Sequence, residues 1–144
     1  METKILIIDD EKAMRLMTIT VLNHYGYTNV LEAASGEVGI EIIQKEHPDF
    51  VMTDLTMPGG MRGEQVLQWV VREYKPGHPN IKLMAYSGDG QKTTESVARA
   101  AGADSFLAKP FRPQTLMAAV ESLLGVQPPP PPDSQPEAAG PTPS

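Results

Sequence analysis

The stretch Asp49-Phe50-Val51-Met52-Thr53-Asp54-Leu55-Thr56-Met57-Pro58 decides how this chain folds. From Phe50 to Thr53 the side chains are bulky or β-branched, without polar alternation, and the run ends on a carboxylate. A strand with no polar face must be covered on both faces, which is the position of a strand in a parallel sheet. Four other short runs resemble it in length: Lys4–Asp9, Asn29–Ala33, Ile81–Ser87 and Asp104–Ala108. Between the five runs lie stretches with helical spacing. Residues 12–24 place Met14, Met17, Val21 and Leu22 on one side. Ser35 can cap a helix to about Glu46, with Val38, Ile42 and Ile43 inward. Residues 63–74 carry Val66, Leu67, Val70 and Val71. Residues 91–101 are weakly apolar, with Val97 and Ala98. Residues 113–124 start on proline, a favoured first-turn residue, and bury Leu116, Val120 and Leu123. The pattern is (βα)5. Strands that alternate with helices imply a parallel sheet with right-handed crossovers. Five units are too few for a barrel of eight, so the expected architecture is α/β: an open doubly wound sheet with helices on both faces.

Composition fits this reading and narrows the functions. The chain has 144 residues, of which 40% are hydrophobic and 21% charged, enough for one self-sufficient core. It divides near Gly125. Residues 126–144 hold eight of the fourteen prolines, five of them consecutive at Pro128 to Pro132. That segment cannot form a helix or a central strand, and it reads as an extended, solvated tail or linker stub. The expected organisation is therefore a domain over residues 1–125 and a proline-rich tail over residues 126–144. There is no cysteine, so disulfides, thiolate metal sites and a cysteine nucleophile are excluded. The N-terminal apolar run is too short for a signal peptide, and no stretch is long enough for a membrane helix, so a cytoplasmic location without membrane contact is expected. The net charge of −6, with no Lys/Arg cluster, argues against nucleic acid as a partner.

Open sheets of this kind place ligands at the carboxyl ends of their strands. The first run ends in Asp9-Asp10-Glu11, the third in Asp54, the fourth in Ser87-Gly88-Asp89 and the fifth in Lys109-Pro110. One Asp after a strand is an ordinary cap or turn residue. Carboxylates, a hydroxyl and an ammonium at four of five strand ends suggest chemistry. Asp9, Asp10 and Asp54 sum to −3 and Lys109 adds +1, so a divalent cation would neutralise the group. Hard oxygen ligands without His or Cys favour Mg²⁺, which commonly binds through a few carboxylates plus a phosphate oxygen. An aspartate can also attack phosphorus to form an acyl phosphate, given neutralisation of the transferring oxygens. Asp54, at the end of a central strand among Val51, Met52 and Leu55, is the best nucleophile. The Asp9/Asp10 pair is better suited to hold metal. Ser87 can hydrogen-bond a phosphoryl oxygen, and Lys109 can supply positive charge.

Four motifs in this order resemble the receiver domains of two-component response regulators: Ile5-Leu6-Ile7-Ile8-Asp9-Asp10-Glu11; Val51-Met52-Thr53-Asp54-Leu55-Thr56-Met57-Pro58; Met84-Ala85-Tyr86-Ser87-Gly88; and Ala101-Gly102-Ala103 leading to Phe106-Leu107-Ala108-Lys109-Pro110-Phe111. The resemblance covers residues 4–124. It implies a flavodoxin-like sheet of order 2-1-3-4-5 and a phosphoacceptor switch rather than a turnover enzyme, with only slow self-phosphorylation from small donors and autodephosphorylation. It implies Asp54 as phosphoacceptor, and Mg²⁺ (or Mn²⁺ in its place) held by Asp9, Asp10, Asp54 and the main-chain carbonyl of Thr56. Ser87 and Phe106 would be the switch pair, and Lys109 the partner of the phosphoryl oxygens. Thr56 and Asp89 would tune the lifetime of the phosphoryl group, and the bond before Pro110 would be cis. By itself Phe106 reads as a core aromatic and Ser87 as a turn former. The implied partners are a histidine kinase or histidine phosphotransfer protein, and a downstream protein at the face of the fourth helix, fifth strand and fifth helix, residues 91–124. The chain would be a monomer or a phosphorylation-dependent dimer, with no DNA-binding output expected within these residues, whether the receiver stands alone or is part of a longer chain.

The loop Met57-Pro58-Gly59-Gly60-Met61-Arg62-Gly63 departs from the family pattern by one extra residue and by Arg62 in place of a frequent acidic residue. Two other functions compete. A Mg²⁺-dependent aspartyl-phosphate phosphohydrolase shares the nucleophile and metal, but it usually has a second acid two residues on, where this chain has Thr56. A phosphorylation-independent interaction module would leave the site unused. A nucleotide switch is disfavoured, since no Gly-x-x-x-x-Gly-Lys-Ser/Thr loop occurs.

Overall fold

The five apolar runs form one parallel sheet in a computed structural model of the chain, which describes residues 3–57, 60–88 and 92–125. The strands are β1 (Ile5–Ile8), β2 (Val30–Ala33), β3 (Phe50–Asp54), β4 (Lys82–Ser87) and β5 (Ser105–Ala108). The helices are α1 (Lys12–His24), α2 (Gly36–Glu46), α3 (Gly63–Trp69), α4 (Lys92–Ala101) and α5 (Pro113–Leu124). Strand order is β2-β1-β3-β4-β5, with every pairing parallel. The chain reverses direction across the sheet between β1 and β3, and this switch point opens the crevice where ligands of such folds sit. Pro58, Gly59, Asp89 and the proline-rich tail over residues 126–144, all singled out in the sequence, lie outside the described residues.

The lack of polar alternation in the central strands has the expected consequence. Ile5, Ile7, Phe50, Met52, Met84, Tyr86 and Leu107 point to one face, where α1 and α5 close over them with Leu22, Leu116, Met117 and Val120. Leu6, Ile8, Val51, Leu83 and Ala85 point to the other, under α2, α3 and α4 with Ile43, Val66, Leu67 and Ala98. Ser35 caps α2 by accepting from the Val38 N–H at 3.2 Å. Gly125 ends α5 in the left-handed region at φ 69°, the usual glycine stop, at the position where the composition changes.

Two side chains expected inward are exposed. Met17 of α1 is 39% exposed, and the inward position one residue later belongs to Thr18. Its hydroxyl is satisfied by donating to the Met14 carbonyl at 2.9 Å, so a polar residue sits there at little cost. Val38 of α2 is 41% exposed, because the buried face of that helix runs through Gly36, Gly39 and Ile43. A Cβ at Gly39 would run into Ile8, and one at Gly36 would meet Val66 Cγ2 at 2.9 Å. Missing side chains let α2 approach the sheet at Gly39 and α3 at Gly36, so glycine rather than valine marks the packed side. Val71 and Val97 are also largely exposed. The stretch expected as one helix over 63–74 changes geometry at Val70, continuing as a wider π turn to Tyr74 and a 3-10 turn over Lys75–Gly77.

Candidate functional site

At the carboxyl edge of the sheet the backbone delivers the charged groups to one point. Asp9 follows β1, and its N–H is held by the Ala33 carbonyl of β2. Asp54 is the last residue of β3, paired with Tyr86 of β4. Lys109 follows β5, and its N–H donates to the Ser87 carbonyl at 2.8 Å. Asp9 and Ser87 are 0% exposed and Asp54 is 2% exposed, a depth at which ionised carboxylates need partners.

Those partners are few and specific. Asp54 Oδ1 accepts from the Thr56 N–H at 3.0 Å, and Oδ2 accepts from Lys109 Nζ at 3.1 Å. The same ammonium lies 3.4 Å from Glu11 Oε1 and 3.7 Å from Asp9 Oδ2. Asp9 Oδ1 takes the Glu11 N–H at 2.9 Å, and Oδ2 takes the Tyr86 hydroxyl at 2.8 Å. One cation thus serves three carboxylates. Burial raises the Asp54 carboxyl above its ordinary range, and the charge of Asp9 adds to that, while the Thr56 N–H and Lys109 pull it back only in part. For Lys109 burial acts to lower the pKa, but the hydrogen bond and charge of Asp54, with Asp9 and Glu11, outweigh it and leave the ammonium above its ordinary value. The two partners of one ion pair therefore both shift upward: Lys109 gains from every carboxylate around it, whereas Asp54 faces one cation and a second buried acid. The Tyr86 phenol is also pushed up, first by burial and then by Asp9, so it remains an O–H donor.

The sequence-expected residues divide as follows. Asp9, Asp54 and Lys109 converge, and Ser87 joins them through Thr56, with the two hydroxyl oxygens 3.3 Å apart. Phe106 is half-buried against the core beneath α3 and α4. The Lys109–Pro110 bond is cis. Asp10 is exposed and outside the carboxylate group, whereas Glu11, given no role from sequence, is inside it. The oxygens of Asp9, Glu11 and Asp54 come within 4.8 Å of one another, which fits a hard divalent cation with an all-oxygen shell. Tyr86 lies inside the motif Met84-Ala85-Tyr86-Ser87-Gly88, which gives it no role. The alternation of β4 and the need of a buried phenol for a partner were the signals that could have found it.

The loop after Asp54 is fixed by backbone space. A Cβ at Gly63 would collide with the main-chain carbonyl of Asp54 and stand 2.9 Å from Leu55 Cα, so α3 can start there only on glycine. The Arg62 N–H donates to Gln65 Oε1 at 2.8 Å, and the Met61 N–H to Glu37 Oε2 at 3.2 Å. A cavity of about 220 Å³ lined by His47, Asp49, Tyr74 and His78 lies at the opposite edge, where the strands begin, remote from these groups. Among the described residues, no helix is long and apolar enough to cross a membrane.

Comparison with known proteins agrees with this geometry. Residues 5–121 match the family model described as the response regulator receiver domain. The chain is 39% identical over 120 residues to the transcriptional regulatory protein YvrH of Bacillus subtilis, covering 83% of this chain and 48% of that protein. It is 32% identical over 123 residues to the chemotaxis protein CheY of Thermotoga maritima, covering 85% and 98%. It thus spans about half the length of some curated relatives and nearly all of others. The structure of the chemotaxis protein CheY4 of Vibrio cholerae superposes with a TM-score of 0.77 at 26% identity, over 85% of this chain and 99% of that one.

Proposed function

Because this chain belongs to the response regulator receiver domain family, we propose that it is a phosphoacceptor switch that takes a phosphoryl group onto Asp54 from a phosphohistidine donor. The observation that carries this reading is the Asp54 carboxylate itself: 2% exposed at the end of a central strand, with Thr56 N–H on one oxygen and Lys109 on the other. An oxygen of Asp54 attacks phosphorus, an O–P bond forms as the donor N–P bond breaks, and the leaving nitrogen keeps the electron pair and takes up a proton. Lys109 follows the charge that moves onto the phosphoryl oxygens. Asp9, Asp54, Glu11 and the adjacent Asp10 are the residues to hold Mg²⁺, with the Thr56 carbonyl. When bound, the ion supplies neutralisation that makes attack by one anion on another feasible.

The response is local before it spreads. Ser87 turns from Thr56 toward the new phosphoryl oxygens, and Phe106 moves into the space behind it. That repacks the face of α4, β5 and α5 for a downstream protein, a two-state change biased by one electrostatic event. Thr56, two residues after the acceptor, and Asp89, two residues after Ser87, tune how long the phosphoryl group persists. The same proposal puts the chain in the cytoplasm, where it meets a histidine kinase or histidine phosphotransfer protein.

The test is intact-protein mass after incubation with acetyl phosphate and Mg²⁺. One phosphoryl adduct is expected, lost without Mg²⁺ and in Asp54→Ala. No adduct, with beryllofluoride also failing to bind, refutes the acceptor role.

A further inference from the structure

Tyr86 is the next-to-last residue of β4 and fully buried on the face covered by α1 and α5. Its hydroxyl donates to Asp9 Oδ2 at 2.8 Å, while the other oxygen of Asp9 takes the Glu11 N–H at 2.9 Å. With a fixed donor on each oxygen, the carboxylate plane of Asp9 cannot turn. The tyrosine ring is fixed in its turn. Phe111 meets it edge-on with centroids 5.9 Å apart at 82°, and the Lys109 ammonium lies 5.2 Å from its centroid. One side chain thus touches the carboxylate that would face the cation and the ammonium that would face the phosphoryl group.

We propose that Tyr86 is a positioning residue whose hydroxyl holds the Asp9 carboxylate in the orientation a divalent cation needs. The proposal rests on the acceptor reading above and adds a residue to it. Groups that hydrogen-bond a metal-ligating carboxylate orient it, and losing one typically weakens metal binding without removing a ligand. Phenylalanine at this position fills the same space, keeps the edge contact with Phe111 and keeps a ring under Lys109. Only the donor to Asp9 disappears.

The experiment compares the unmodified chain with Tyr86→Phe by calorimetric titration with MgCl2, and by the rate of acetyl phosphate labelling as a function of Mg²⁺. The expected result is a Mg²⁺ dissociation constant raised about tenfold, with the labelling rate returning to that of the unmodified chain at saturating Mg²⁺. A residue that merely supports the fold would lower the rate at all Mg²⁺ concentrations. In an Asp9→Asn background the further change Tyr86→Phe is expected to leave Mg²⁺ affinity where it is, since the group it positions is already altered. That double variant also removes the buried charge that Tyr86→Phe alone leaves short of a donor, so it is the safer one to fold. Unchanged affinity in Tyr86→Phe, a rate deficit that persists at saturation, or a full additional loss in the Asp9→Asn background each overturn the proposal. Absence of Mg²⁺ binding by the unmodified chain overturns the acceptor reading as well, so the two failures are told apart.

Discussion

Replacing Lys109 by methionine removes the one cation among the described residues that faces Asp54, Glu11 and Asp9, at 3.1, 3.4 and 3.7 Å. The stem of the side chain is preserved, and two carboxylates at 2% and 0% exposure are left without it. Breaking a buried pair by removing one partner costs about 3–5 kcal/mol. Lys109 retains 16% exposure, so solvent screening reduces the expected loss to about 2–3 kcal/mol. For a domain of this size that corresponds to a fall of about 10 °C in Tm. The assay is thermal denaturation followed by circular dichroism in EDTA, at low salt and neutral pH. The pH dependence has a definite sign. Because the folded Asp54 carboxyl already lies above its ordinary range, the native state binds protons more readily than the unfolded chain just above that range, and stability falls as pH rises through the interval. Without Lys109 the interval extends upward, so the variant regains ground on the unmodified chain as pH falls. Lys109 itself, raised above its ordinary value, stays charged and stabilising until pH climbs through its folded pKa. Adding Asp54→Asn to Lys109→Met is expected to restore most of the lost stability. An unchanged Tm in Lys109→Met, or a deficit that ignores Asp54→Asn, would show that the ammonium does not compensate buried charge.

Other substitutions probe the frame. Gly63→Ala forces a methyl group into the Asp54 carbonyl and is expected to cost about 3 kcal/mol, read as a lower urea midpoint. Gly102→Ala must adopt φ 121° and displace Val71, so about 2 kcal/mol is expected from the same titration, whereas a neutral result would mean the turn before β5 relaxes freely. Millimolar Mg²⁺ is expected to raise Tm in the unmodified chain and less so in Asp9→Asn, since binding to the native state alone stabilises by mass action. Ser87→Ala should still take up one phosphoryl group by mass. Its amide resonances over β5 and α5 should move less on phosphorylation, and equal movement would remove Ser87 from the switch.

The sequence carried the architecture because central strands without polar alternation leave few alternatives, and because strand ends can be counted without knowing side-chain directions. Asp9, Asp54, Ser87 and Lys109 were found that way. What stayed hidden depends on directions and distances. Whether Asp10 or Glu11 turns toward Asp54 is a matter of side-chain rotation in one short loop, which spacing does not encode. Tyr86 lies inside the motif at the end of β4, but its bond to Asp9 spans 77 residues and exists only once β1, β3 and β4 lie side by side. Met17 and Val38 misled for one reason: apolar periodicity assumes that the buried face is the greasy one, while α1 buries a self-bonded threonine and α2 buries glycines. The π turn at Val70–Tyr74 left no compositional trace at all.

The division of the core between the two sheet faces bears on how the molecule comes into being. The face under α1 draws its cover from the first helix and the last, so Leu22 waits for Leu116, Met117 and Val120. The face under α2, α3 and α4 is covered by contiguous middle segments. A ribosome releasing this chain therefore presents one finished side and one bare side until nearly the whole domain has emerged. Chaperone capture during synthesis should then concentrate on Ile5, Ile7, Phe50 and Met52, and shortening the chain into α5 should expose that same surface while sparing the other.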